Sequence, residues 1–98
     1  MELIILNQAA LSNGSTEFTV NGSTSIAPRL VATGLAVGES VILQTKVDGT
    51  WVDVTTNGAT VTLVSSFNSR PINLVGTYRV RKALTAGVVK VVYLDNIM

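Results

Sequence analysis

Residues 41–64, VILQTKVDGTWVDVTTNGATVTLV, decide the fold of this chain. Three runs of alternating apolar and polar side chains are punctuated there by Asp48-Gly49 and Asn57-Gly58. Both dipeptides tolerate the positive φ angles that a tight two-residue turn demands, and between alternating runs they are the strongest short-range hairpin signal. The stretch reads as a three-strand antiparallel meander.

The register of the first hairpin decides which side chains share a face, because a slip of one residue turns every side chain over. With Asp48-Gly49 as a two-residue loop, Val47 faces Thr50, Lys46 faces Trp51, Thr45 faces Val52 and Leu43 faces Val54. One face then carries Val41, Leu43, Val52 and Val54, and the other carries Gln44, Lys46, Trp51 and Asp53. A three-residue loop with a bulge at Gly49 reverses this, setting Trp51 beside Leu43 and turning Asp53 inward. The first register is favoured because it leaves Asp53 in water, and burying an unpaired carboxylate is costly.

The same pattern extends over the rest of the chain. Val, Ile and Thr dominate, no ten-residue segment shows a 3.6-residue period, and turn pairs recur about every ten residues, as in all-β sandwiches and barrels. The expected fold is all-β: a single antiparallel β-sandwich, Ig-like or jelly-roll-like, of about eight short strands with little or no helix. Those strands are placed at 3–7, 16–20, 29–35, 40–47, 50–55, 60–65, 77–84 and 88–94. Residues 66–75 are the longest connection and are expected to cross between sheets; Pro71 lacks the amide that an interior strand needs. Pro28 suits a strand entry or an edge. The last strand, Val88-Val89-Lys90-Val91-Val92-Tyr93-Leu94, is apolar on both faces, which requires cover on both sides. Either a central position in the sandwich or a second subunit would supply it.

Ninety-eight residues fit one domain, 1–98, with residues 1–10 as an arm or an edge strand. Charged residues make up 13% of the chain, about half of the usual quarter, so the surface is polar but barely ionic. A small chain this apolar is expected to bury part of its outside against itself or a larger assembly. The net charge of +1 argues against a nucleic-acid binder, which needs a concentrated basic face. The start, Met1-Glu2-Leu3-Ile4-Ile5-Leu6, has four consecutive apolar residues and no basic leader, so neither a signal peptide nor a membrane span is expected there.

Histidine and cysteine are absent, and the acids are Glu2, Glu17, Glu39, Asp48, Asp53 and Asp95. General-acid/base, nucleophilic and transition-metal chemistry are left almost without candidates, so no catalytic residue, no metal site, no cofactor and no enzymatic activity is expected. Binding remains. Trp51, helped by Tyr78 or Tyr93, could stack on a sugar ring as a small carbohydrate-binding module. The favoured reading is that the indole plugs the seam beside its own hairpin or touches another subunit.

The order of motifs carries a resemblance. Gly38-Glu39-Ser40-Val41 through Gln44, then Asp48-Gly49-Thr50-Trp51, then Thr62-Leu63, then Val75-Gly76-Thr77-Tyr78-Arg79-Val80, resembles small all-β accessory proteins of tailed bacteriophages. Among these the chain is most similar to capsid decoration, or cement, proteins, over about residues 35–94; head-fibre, tail and receptor-binding sandwiches share some of the motifs. The resemblance implies a structural protein of the virion, made in the host cytoplasm and displayed on the capsid surface. It implies a homotrimer on the major capsid protein lattice, stiffening the head. Under that reading the interface candidates are Leu3 and Ile5 of an N-terminal arm, Val89, Val91 and Tyr93 of the last strand, and Trp51, Arg79 and Arg81 on an outer face.

Overall fold

A hairpin fixes the frame. In the computed structural model, which describes residues 2–22, 25–72 and 74–97, Asp48 and Gly49 both have positive φ, 49° and 79°, as a type I′ turn requires. Strands β4 (Ser40–Val47) and β5 (Thr50–Asp53) pair with Val47 opposite Thr50, Lys46 opposite Trp51 and Gln44 opposite Asp53. This is the two-residue register.

The remaining strands are β1 (Glu2–Gln8), β2 (Phe18–Val20), β3 (Ser25–Thr33), β6 (Thr55–Thr56), β7 (Ala59–Thr60), β8 (Thr62–Val64), β9 (Ser69–Pro71), β10 (Gly76–Lys82) and β11 (Val89–Ile97). No helix occurs among the described residues. One sheet has the order β1-β11-β3-β9 and the other β2-β10-β4-β5, with β8 also on β4; every pairing is antiparallel. The chain is an all-β, sandwich-like fold with more strands among the described residues than the eight expected.

The meander needs correction. The third run does not lie beyond the second; β5 and β8 follow one another along the same edge of β4. The hinge is Leu43, whose carbonyl accepts the Val54 amide at 2.9 Å while its own amide donates to the Val61 carbonyl at 3.1 Å. Between Val54 and Val61 the chain leaves as the β6-β7 hairpin around Asn57-Gly58 and returns. Both valines pack on the core, so the excursion stays outside while its two ends stay in.

Alternation sorts the side chains. Leu30, Ala32, Val89, Val91 and Tyr93 face inward from one sheet, and Phe18, Val20, Val41, Leu43, Tyr78 and Val80 from the other; all are buried. Each such aliphatic or aromatic side chain contributes roughly 1.5–3 kcal/mol on burial. Phe18 stacks on Tyr93 at 4.6 Å and on Tyr78 at 5.8 Å, locking the two layers together.

Prolines mark the irregular points. β3 begins at Ser25, four residues before the expected start, and runs through Pro28. This works because the ladder with β11 shifts between Leu94 and Asn96, so Ala27 and Pro28 lie opposite Asp95 in a bulge, with Ala27 at φ 50°. Within the 66–75 connection, Ser69–Pro71 forms an edge strand on β3, so the chain does cross from the β4 sheet to the β3 sheet.

The N-terminal segment is an edge strand rather than an arm: β1 pairs with β11 from Glu2 to Gln8, bulged between Ile4 and Leu6. The last strand lies in the middle of its sheet, between β1 and β3. Its own sandwich covers Val89, Val91 and Tyr93, while Lys90, Val92 and Leu94 turn outward.

Candidate functional site

Two surfaces are built more elaborately than folding alone demands. The first is the outer face of the sheet β10-β4-β5. Its hairpin register and the alternation of β10 place Gln44, Lys46, Trp51, Asp53, Arg79 and Arg81 on one side. Trp51 reaches across β4: the Arg79 guanidinium lies 4.4 Å from the indole centroid and the Lys46 ammonium 5.8 Å, contacts that contribute about 0.5–1 kcal/mol when exposed. Gly14 leaves the room that Arg79 occupies.

A chain of bonds ties the face together. Arg79 Nε donates to Gln44 Oε1 at 2.9 Å, and Gln44 Nε2 donates to Asp53 Oδ1 at 3.0 Å. Arg81 closes the chain with two bonds to Asp53, at 3.2 and 3.0 Å. The Arg81 bonds, then the Gln44 bond, hold the Asp53 carboxyl below its ordinary range, and in return Asp53 raises the Arg81 guanidinium. A carboxylate with three donors is a structural anion, poorly suited to act as a base. A sugar stacking where Arg79 and Lys46 lie against the Trp51 ring would have to displace them.

The second surface is the end of the sandwich where the loops 9–17, 34–39 and 83–88 meet. Lys82 continues the inward register of Tyr78 and Val80 and is buried, and its Nζ donates to the Ala9 carbonyl (2.9 Å), the Ala83 carbonyl (3.0 Å) and Thr85 Oγ1 (3.1 Å). Burial pushes the Lys82 ammonium down from its ordinary pKa, partly offset by Glu39. Thr85 Oγ1 donates to the Gly87 carbonyl at 2.8 Å, and the Thr85 amide donates to Ala9 at 2.9 Å. Glu39 takes the Ala36 amide at 2.9 Å and the Ala86 amide at 2.8 Å, and these bonds lower its pKa. Gly34, at φ 90°, lets β3 turn against the Val88 carbonyl.

What these pinned loops hold outward is apolar. Val37 is 94% exposed, Leu84 75%, Val88 60% and Leu11 58%. No buried side-chain nitrogen or oxygen lacks a partner among the described residues.

Of the residues singled out from sequence, the fold brings Trp51, Arg79 and Arg81 together on one face. It does not bring the others to a surface: Ile5, Val89, Val91 and Tyr93 are core, and Leu3 packs against it. Alternation on the central strand β11 turns Val89, Val91 and Tyr93 toward the opposite sheet, and Leu3 and Ile5 pack on the same core from the edge strand β1. The outward residues of the same strands include Glu2, Ile4, Asn7, Lys90, Val92 and Leu94. Sequence reading missed Glu39, Lys82 and Thr85. For Lys82 the signal was the Tyr78-Val80-Lys82 alternation; of its partners, Ala83 and Thr85 follow it directly in the chain, whereas Ala9 comes from a segment more than seventy residues away.

The chain is an all-β protein. No protein-family model matches it, and no curated protein or solved structure does.

Proposed function

We propose that this protein is a non-enzymatic structural component of a virion, a capsid decoration protein that seats on a major capsid protein lattice and stabilises the phage head. The observation that carries this reading is the loop end, where buried Lys82 and Thr85, together with Glu39, hold Leu11, Val37, Leu84 and Val88 out toward water. Exposed apolar groups on a fixed scaffold suit docking, because little conformational entropy is lost when they are covered. The low charge of the chain supports a contact that varies little with salt. Many copies on a repeating lattice would turn modest single contacts into firm attachment.

The test is co-sedimentation with heads assembled from the major capsid protein of the same genome. Binding that raises the temperature at which heads lose DNA is the expected result. Val37→Asp and Leu84→Asp should fold normally and fail to bind; heads that stay bare with the unaltered protein, or are coated equally by both variants, would overturn the reading.

A further inference from the structure

The outward face of the β1-β11-β3 sheet is a three-by-three array. The pairings set Glu2, Leu94 and Arg29 in one row, Ile4, Val92 and Val31 in the next, and Asn7, Lys90 and Thr33 in the third. Its middle row is wholly apolar, and Ile4 is 47% exposed. The core cluster of the described residues lies on the other side of the sheet.

The charges on the array have a symmetry of their own. The central column, on β11, is Leu94, Val92 and Lys90, and the acid Glu2 and the base Arg29 flank Leu94 on opposite sides. A two-fold axis parallel to β11, passing above it, exchanges the two outer columns between copies. Glu2 of each copy then meets Arg29 of the other, and Ile4 meets Val31. Leu94 and Val92 meet their own counterparts. Arg29 bonds Ser69 through Nε, which leaves its terminal nitrogens for a carboxylate. The like-charge meeting, Lys90 on Lys90, falls at the margin, where a long stem carries the ammonium out to water. Two sheets aligned in this way pack about 10 Å apart with their strands within about 30°, the ordinary geometry of stacked sheets.

We infer that this face is a self-complementary, two-fold interface between copies of the chain, with two Glu2–Arg29 ion pairs flanking a Val92–Leu94 centre. A single flat face seats one partner, so the unit it makes is a pair rather than the three-fold assembly that the resemblance implies. The inference is independent of whether the loop end seats on a lattice. Strands about 4.8 Å apart make three of them a narrow patch, smaller than the roughly 800 Å² per partner of a standard interface. The pair should accordingly exchange rapidly and grow with concentration.

Sedimentation velocity over a hundredfold concentration range tests it. The expected result is a mass rising from 10.3 kDa toward twice that value. Glu2→Arg and Arg29→Glu should each hold the protein monomeric, and the two together should restore the pair; a double variant as monomeric as the singles would overturn the inference. Because the chain has no cysteine, Val92→Cys supplies a second readout. Mild oxidation should link most of it as a covalent dimer, with Val47→Cys, exposed on the other sheet, remaining largely unlinked. Equal linking of both variants, or a concentration-independent monomer or trimer, would refute the two-fold face.

Discussion

Replacing Lys82 by methionine sets opposing terms of similar size against each other. The side chain is 3% exposed, and methionine, unbranched and of similar length, fills its volume with little cavity or strain. The ammonium gives up three bonds, to Ala9, Ala83 and Thr85. At about 1.5–3 kcal/mol per charge-assisted bond, that is a gross loss of about 4.5–9 kcal/mol. Two corrections reduce it. The cost of desolvating an ammonium, several kcal/mol per buried ion, disappears with the charge. The Ala9 carbonyl also keeps the Thr85 amide at 2.9 Å. What stays unpaired is chiefly the Ala83 carbonyl, at about 1–3 kcal/mol. That residue sets the expected net destabilisation, equivalent to a Tm lower by about 4–20 °C in a domain of this size. Thermal unfolding at neutral pH, followed by far-ultraviolet circular dichroism and by Trp51 fluorescence, measures it. The pH dependence has a definite sign. Burial depresses the folded-state pKa below the ordinary 10.5, so between the two values the unfolded chain holds more protons and stability rises with pH. Lys82→Met should lack that rise. A variant that melts at or above the parent would refute the reasoning, showing that burying the charge costs more than its bonds return.

Two further perturbations test other parts of the structure. Gly34→Ala meets both a left-handed backbone and the Val88 carbonyl, whereas Gly58→Ala, at φ 79°, meets open space. Strained φ costs about 1–3 kcal/mol at either site, so the urea midpoint of Gly34→Ala should fall clearly further, and equal midpoints would contradict the close approach. Asp53 has a depressed folded-state pKa, so its contribution is complete above the ordinary Asp value and is lost as pH falls through the folded value. Because the Arg81–Asp53 pair is 43% and 34% exposed, the contribution should stay below about 1 kcal/mol; Asp53→Asn should flatten that limb of a Tm–pH curve, and an unchanged limb would count against the ion pair.

Much of the fold was legible locally. Asp48-Gly49 announced its own turn and its register, and with it the common face of Trp51, Gln44 and Asp53, because the φ requirement and the period of two act within a few residues. The β5-β8 edge was not legible. Asn57-Gly58 makes a genuine hairpin, but only packing shows that Val54 and Val61 both belong beside Leu43, so the hairpin is an excursion rather than the next strand of a meander. Pro71 correctly warned against an interior strand, while the edge position it permits depended on β3.

By itself, then, the sequence determined the all-β class, the hairpin register and the alternation of each long strand, since these follow from backbone sterics and a two-residue repeat. The tertiary structure alone decided which side of each alternation is inside. For β11 the two faces are almost equally apolar, and the sheet opposite selects Val89, Val91 and Tyr93 for the core, leaving Val92 and Leu94 outward. It also decided that Lys82 is interior, because one of the carbonyls that hold it, Ala9, arrives from a loop more than seventy residues away. Such partners depend on pairings between distant segments, which no local pattern encodes.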